Sequence, residues 1–85
     1  MKKQKIRICF RLVKGHGDVV AIFLDQERKN MLTCYEHIGQ HGDCHKTWVN
    51  DCTFPCNKEN YKELLDELTE IYDDSELVVV KIQKL

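Results

Sequence analysis

Between Tyr61 and Tyr72 the residues Tyr61, Leu64, Leu65, Leu68, Ile71 and Tyr72 recur at helical spacing and gather into one apolar stripe. Glu59, Lys62, Glu63, Asp66, Glu67 and Glu70 take the outer side. Asn57 is a good N-cap, Pro55 discourages helix before it, and Asp73-Asp74-Ser75 breaks the helix after it. A helix with one apolar stripe has to cover something. The rest of the chain offers a sheet, so the pattern points to an α+β fold.

The strand signals are clear at the start of the chain. Lys5 to Val13 alternates, with Ile6, Ile8, Phe10 and Leu12 on one face and Arg7, Cys9, Arg11 and Val13 on the other. Lys14-Gly15-His16-Gly17-Asp18 supplies a tight connection, and Val19 to Leu24 follows, apolar on both faces and hence central. Asp25 to Asn30 reads as a polar loop and Met31 to Ile38 as a third strand that Gly39 ends. Gly39 to Asp51 reads as irregular, with a short strand at Thr47-Trp48-Val49. Leu77 to Gln83 is the last strand, buried at Val78, Val79 and Val80. The expected fold is a two-layer sandwich of a mixed sheet, in the order β-β-β-[short β]-α-β, with one helix packed on one face. The stripe meets Ile6, Ile8, Phe10 and Leu12. The helix serves as the crossover that brings the last strand parallel to the first.

With 85 residues the chain is expected to form a single domain over 1–85. No apolar run approaches the ~20 residues of a membrane span, so no membrane association is expected. The net charge is −1, divided unevenly: eight basic and four acidic residues in 1–42, five and ten in 43–85. The bases crowd the first strand (Lys2, Lys3, Lys5, Arg7, Arg11, Lys14), which raises nucleic-acid binding as an alternative, but a pI near 6.4 argues against it. Met-Lys-Lys opens like a secretory signal, yet Arg7 and Arg11 interrupt the apolar stretch and no small-residue cleavage site precedes Lys14. A cytoplasmic protein is expected, with its five cysteines held as thiols.

Phe10-Arg11, Gly17-Asp18-Val19-Val20-Ala21-Ile22-Phe23 and Cys34-Tyr35-Glu36-His37-Ile38-Gly39-Gln40-His41-Gly42, with Pro55, Tyr61, Leu64 and Glu67-Leu68, form a pattern over residues 10–80. It resembles a family of small uncharacterised bacterial proteins met in phage-derived or conjugative mobile elements. Tyr35-x-His37-x-Gly39-Gln40-His41 is its most specific part. The resemblance implies a setting and no assigned activity. The sequence departs from the pattern at Cys44, His45, Cys52 and Cys56.

Four thiols and three imidazoles lie between Cys34 and Cys56: Cys34, His37, His41, Cys44, His45, Cys52 and Cys56. These are zinc ligands by type, so a structural zinc module is an alternative, but the spacing lacks a C-x-x-C pair and no cofactor is assigned. Cys44–His45 and Cys34–His37 make poor nucleophile–base dyads, because no third residue orients them and neighbours on a strand diverge. Gly15-His16-Gly17 joins two strands, whereas a phosphate cradle needs a strand-to-helix turn. The expected site is therefore Tyr35, His37, Gln40 and His41. The glycines at 39 and 42 would place Gln40 and His41 on a tight excursion past the strand end, where they form either a binding cluster or an internal network. The expected function is a non-enzymatic interaction or accessory module with an unidentified protein partner. Self-pairing through an exposed edge strand is a further option.

Overall fold

A computed structural model of the chain describes residues 4–15, 17–36 and 40–85, with Gln40 and His41 described by their main chain. The elements are β1 (Gln4–Val13), β2 (Val19–Arg28), β3 (Met31–Glu36), β4 (Gln40–His45), α1 (Lys46–Cys52), β5 (Thr53–Pro55), α2 (Lys58–Ile71) and β6 (Ser75–Val79). The fold is mixed α+β, with six strands in one curled sheet and two helices. The strand order is β4-β3-β2-β1, and the far edge of β1 is divided between two partners. β6 runs parallel to β1 along Gln4–Ile8, and β5 runs antiparallel to it along Arg11–Val13. The other pairings are antiparallel. The helical crossover thus sets the last strand beside the first, as the apolar pattern predicts.

The hairpin β1–β2 pairs Ile8 with Phe23 through to Leu12 with Val19. Gly15 and Gly17 take φ of +80° and +76° in its turn, a region open to glycine at little cost. One face of the sheet carries Ile8, Phe10, Ala21, Phe23 and Tyr35, and α2 buries Leu64 and Leu68 against them. Each buried leucine contributes about 1.5–3 kcal/mol. Phe10 stacks on Tyr61 with ring centroids 4.4 Å apart. Ile71, placed in the stripe by its spacing, is about half exposed at the last residue of α2.

The opposite face is covered too. Cys9, Val20, Ile22, Leu32, Cys34 and Cys44 pack with Val49, and Trp48, Ile82 and Leu85 close over them. This corrects several expectations. Thr47-Trp48-Val49 belongs to helix α1, not to a short strand, and the fold has two helices where one was expected. The strand propensity of Thr, Trp and Val yields to a helix that buries Val49 and is capped by the His45 imidazole, which accepts from Thr47 N–H at 3.1 Å. The expected irregular segment instead holds β4 and α1, and a short strand forms further on, at β5. The polar segment 25–30 is the distal end of the β2–β3 hairpin. A bulge between Phe23 and Glu27 shifts the register, and Lys29 and Asn30 turn the chain with φ of 49° and 67°. β6 ends at Val79 rather than Gln83, because the chain then leaves the sheet edge to cross this second face. Ile38 and Gly39 lie outside the described residues. No described helix is long and apolar enough to cross a membrane.

Candidate functional site

The expected site divides on inspection. Tyr35 sits in β3 beneath α2, 1 % exposed, among Ile8, Phe10, Phe23, Leu64 and Leu68. It is a core residue. His37 lies outside the described residues. Gln40 and His41 do not sit on an excursion past a strand. They begin β4, where the register sets His41 opposite Tyr35 and Gln40 opposite Glu36. Gly42 continues the same strand, so the expected tight excursion is absent at that glycine.

The other candidate metal ligands scatter. Cys34 and Cys44 lie on the face under α1, Cys56 lies in the cluster under α2, and Cys52 ends α1. His45 uses its Nδ1 as the cap of α1. Among the described residues no three His, Cys, Asp or Glu side chains are grouped so that they could hold a metal ion.

The basic strand face is also spoken for. Arg7 lies against Asp25: its Nε and Nη2 donate to Oδ1 at 2.9 and 2.6 Å, and its main-chain N–H donates to Oδ2 at 3.2 Å. This pairing sits just beyond the Ile8–Phe23 end of the β1–β2 register. It also holds the Asp25 carboxyl below its usual range. Lys5 approaches Glu76 at 4.0 Å, and Lys46 meets Glu27.

Arg11 is the residue the strand pattern misplaces most. It is 2 % exposed, on the face shared with Cys9 and Val13. Its Nε donates to Thr53 Oγ1 at 2.9 Å. Its Nη1 donates to the carbonyls of Ile82 and Gln83 at 2.7 and 3.2 Å. Its Nη2 donates to the carbonyls of Thr53 and Val49 at 2.9 and 3.3 Å. A cation at the carbonyl end of α1 is favoured by the helix dipole. One guanidinium therefore joins α1, β5 and the segment after β6. Asn50 completes that clasp, with Oδ1 accepting from Leu85 N–H at 2.7 Å and Nδ2 donating to Leu85 O at 3.2 Å.

Chemically, the most distinctive grouping is the thiol pair. Cys34 stands opposite Gly42 and Cys44 opposite Leu32, so the two sulfurs lie diagonally across one face of β3 and β4. They share a shallow cleft with Glu36, Asp43, His45 and Trp48. The Cys44 thiol donates to the Leu32 carbonyl at 3.5 Å. The nearness of the two thiols is the main reason that Cys34 ionises more readily than an ordinary thiol and Cys44 less readily. Nothing in the residue spacing marked this pair, since it depends on a strand that the sequence presents as loop. The one available signal was period-two: 34 and 44 share parity with their neighbours 32 and 42 across a short connection.

No family model matches the chain, and comparison with curated proteins and with solved structures finds no match either.

Proposed function

We propose that the protein is a small non-enzymatic interaction module of the cytoplasm, an accessory protein of a mobile genetic element, which takes an extended peptide along the open edge of β4. The carrying observation is the place of β4 at the end of the strand order, where it pairs with β3 alone among the described strands. Six residues in continuous register leave a row of main-chain donors and acceptors on the outer side, the template that strand addition uses. Gln40 and His41 belong to this edge, which keeps two of the expected binding residues in the reading. The description as a two-layer sandwich, with α2 as the layer opposite the sheet, belongs to the same reading. The burial of Leu64 and Leu68 supports it, and it leaves β4 away from the helix that covers the middle of the sheet. Nucleic acid is a weaker fit, because Arg7 and Arg11 are engaged within the fold.

The test is selection of extended peptides from a random library, with the footprint of each ligand mapped by amide shifts. Selected peptides should protect the amides of 40–45. Ligands whose footprints fall consistently on α2 or on β6 would overturn the reading, and self-association through 40–45 would replace the peptide with a second copy of the chain.

A further inference from the structure

Five thiols are present, and their surroundings differ. Cys9 is enclosed beneath the segment after β6 and Cys56 beneath α2, whereas Cys52 is the most open of the five. Only Cys34 and Cys44 lie diagonally across a strand pair on one face and also line a cleft together. We propose that Cys34 and Cys44 form a reversible thiol–disulfide couple, with Cys34 as the attacking sulfur and Cys44 as the resolving one, acting on small cationic or uncharged disulfides.

The geometry begins with Gly42. The residue directly opposite Cys34 has no side chain, and a Cβ there would meet no atom within 4 Å. Cys44, two residues on, therefore has room to lean across the strand pair to Cys34. A disulfide requires the sulfurs to close to about 2.05 Å. β4 can supply that movement, because it is a terminal strand anchored on one side only. The roles are asymmetric. Cys44 donates its thiol hydrogen to the Leu32 carbonyl at 3.5 Å, which holds it as a thiol, whereas the Cys34 sulfur stands beside the Cys44 thiol and the Gly42 N–H, both of which favour its thiolate. The neighbouring Cys34 and burial both oppose ionisation of Cys44.

In the first step the Cys34 thiolate attacks one sulfur of RSSR, forming a Cys34–SR bond and releasing RS⁻, which takes up a proton. Cys34 then carries no negative charge, so its opposition to ionisation of Cys44 is relieved. Cys44 loses its proton to solvent and attacks the Cys34 sulfur, and the second RS⁻ departs. Overall, two protein thiols are oxidised and one RSSR is reduced to two RSH. The rim selects the reactant. Glu36 and Asp43 are close enough to oppose ionisation of both thiols, so they repel an anionic disulfide. The Trp48 ring forms another wall of the cleft and offers a face to a cation. This inference does not depend on peptide binding at β4.

The experiment treats the reduced protein with cystamine, or with glutathione disulfide, and follows the products by alkylation and peptide mass. The tryptic peptide Asn30–Lys46 holds both cysteines, and cleavage after Glu36 separates them. Cystamine should remove two hydrogens from Asn30–Lys46 before Cys52 is modified. Cys44→Ser should accumulate the cysteamine adduct on Cys34, whereas Cys34→Ser should leave Cys44 nearly unreacted. Glutathione disulfide should be slower by about tenfold at low salt, with the gap narrowing as salt rises. Modification of Cys52 ahead of the pair in the unaltered protein would overturn the proposal, and that result needs no variant to fold. Equal labelling of position 34 in Cys44→Ser and of position 44 in Cys34→Ser would overturn the assigned roles.

Discussion

Replacing Arg11 by methionine keeps much of the side-chain volume and removes every donor, so it isolates what the guanidinium does. Five hydrogen bonds disappear. Their gross worth is not the expected loss, because the folded protein also gives up the cost of keeping a charge out of water, which is several kcal/mol. What remains is the set of orphaned acceptors. The Val49 carbonyl still accepts from Thr53 Oγ1, and the Ile82 and Gln83 carbonyls are partly buried and can turn to water. The Thr53 carbonyl is left buried with its guanidinium donor gone, at about 1–3 kcal/mol. Loosening of the 82–85 segment adds the lost burial of Ile82 and Leu85. The sum is about 2–4 kcal/mol, a large share of the 5–15 kcal/mol that small domains possess. Arg11→Lys, with three donors in place of five and no planar fork, should lose about half as much. Urea unfolding followed by circular dichroism gives the free energies. Trp48 fluorescence reports the face that Arg11 organises, since Trp48 packs there. An Arg11→Met protein within 0.5 kcal/mol of the original, or more stable than it, would refute the reasoning and show that the clamp merely offsets its own desolvation (the ordinary scatter of neutral substitutions).

Further outcomes follow from the same geometry. Asn50→Ala removes both hydrogen bonds to Leu85 and should cost about 1 kcal/mol, with faster amide exchange at Leu85 and unchanged exchange in β2. Tyr35→Ala should cost about 3–5 kcal/mol in the absence of any ligand, as for a fully buried ring, and a loss below 1 kcal/mol would contradict its place in the core. Stability should decline as the pH rises above about 9, the ordinary thiol value. Burial raises Cys9 and Cys56, so the unfolded chain releases these two protons first and is favoured as the pH climbs, while Cys34 and Cys44 shift in opposite directions. Guanidinium melts between pH 7 and 10.5 check the sign, and a rise in stability over that range would refute it. Asp25→Asn should reduce stability only slightly in urea unfolding and lose that effect in high salt, because the Arg7 pair is solvent-exposed.

How far the chain could be read in advance followed from how local each signal is. The stripe from Tyr61 to Tyr72 and the alternation from Lys5 to Val13 each repeat within one element, and both elements form with the faces those repeats assign. The parallel placement of β6 follows once those two elements pack, because α2 lies over β1 and returns the chain to its edge. β4 and α1 carry no such repeat. Gln-His-Gly-Asp-Cys-His is a strand because β3 offers it an edge, and Lys-Thr-Trp-Val-Asn-Asp-Cys is a helix because Val49 finds a cavity and Arg11 finds its carbonyl end. Those causes are tertiary. The same holds at the site: Tyr35 lies on the face that α2 buries, so a residue read as a phenol beside two imidazoles serves the core instead.

The uneven charge of the chain takes its meaning from these placements. The basic residues of β1 suggest an electropositive face when they are counted along the sequence. In the fold, Arg7 is matched by Asp25, Lys5 approaches Glu76, and Arg11 spends its donors on the carbonyls of three separate segments. The acidic residues of α2 are not drawn inward to the same extent, and Glu59, Glu63, Asp66 and Glu70 remain exposed. A near-neutral protein therefore presents a predominantly acidic helix on one side of the sheet. On the other side, Glu36 and Asp43 stand beside the Cys34–Cys44 cleft. A cationic reactant is thus favoured at the cleft by local carboxylates. The field of the helix adds little there, because it lies across the thickness of the sheet and is screened over about 10 Å in ordinary salt. Charge reversal on α2 should accordingly leave the cystamine preference intact, whereas Asp43→Asn should weaken it.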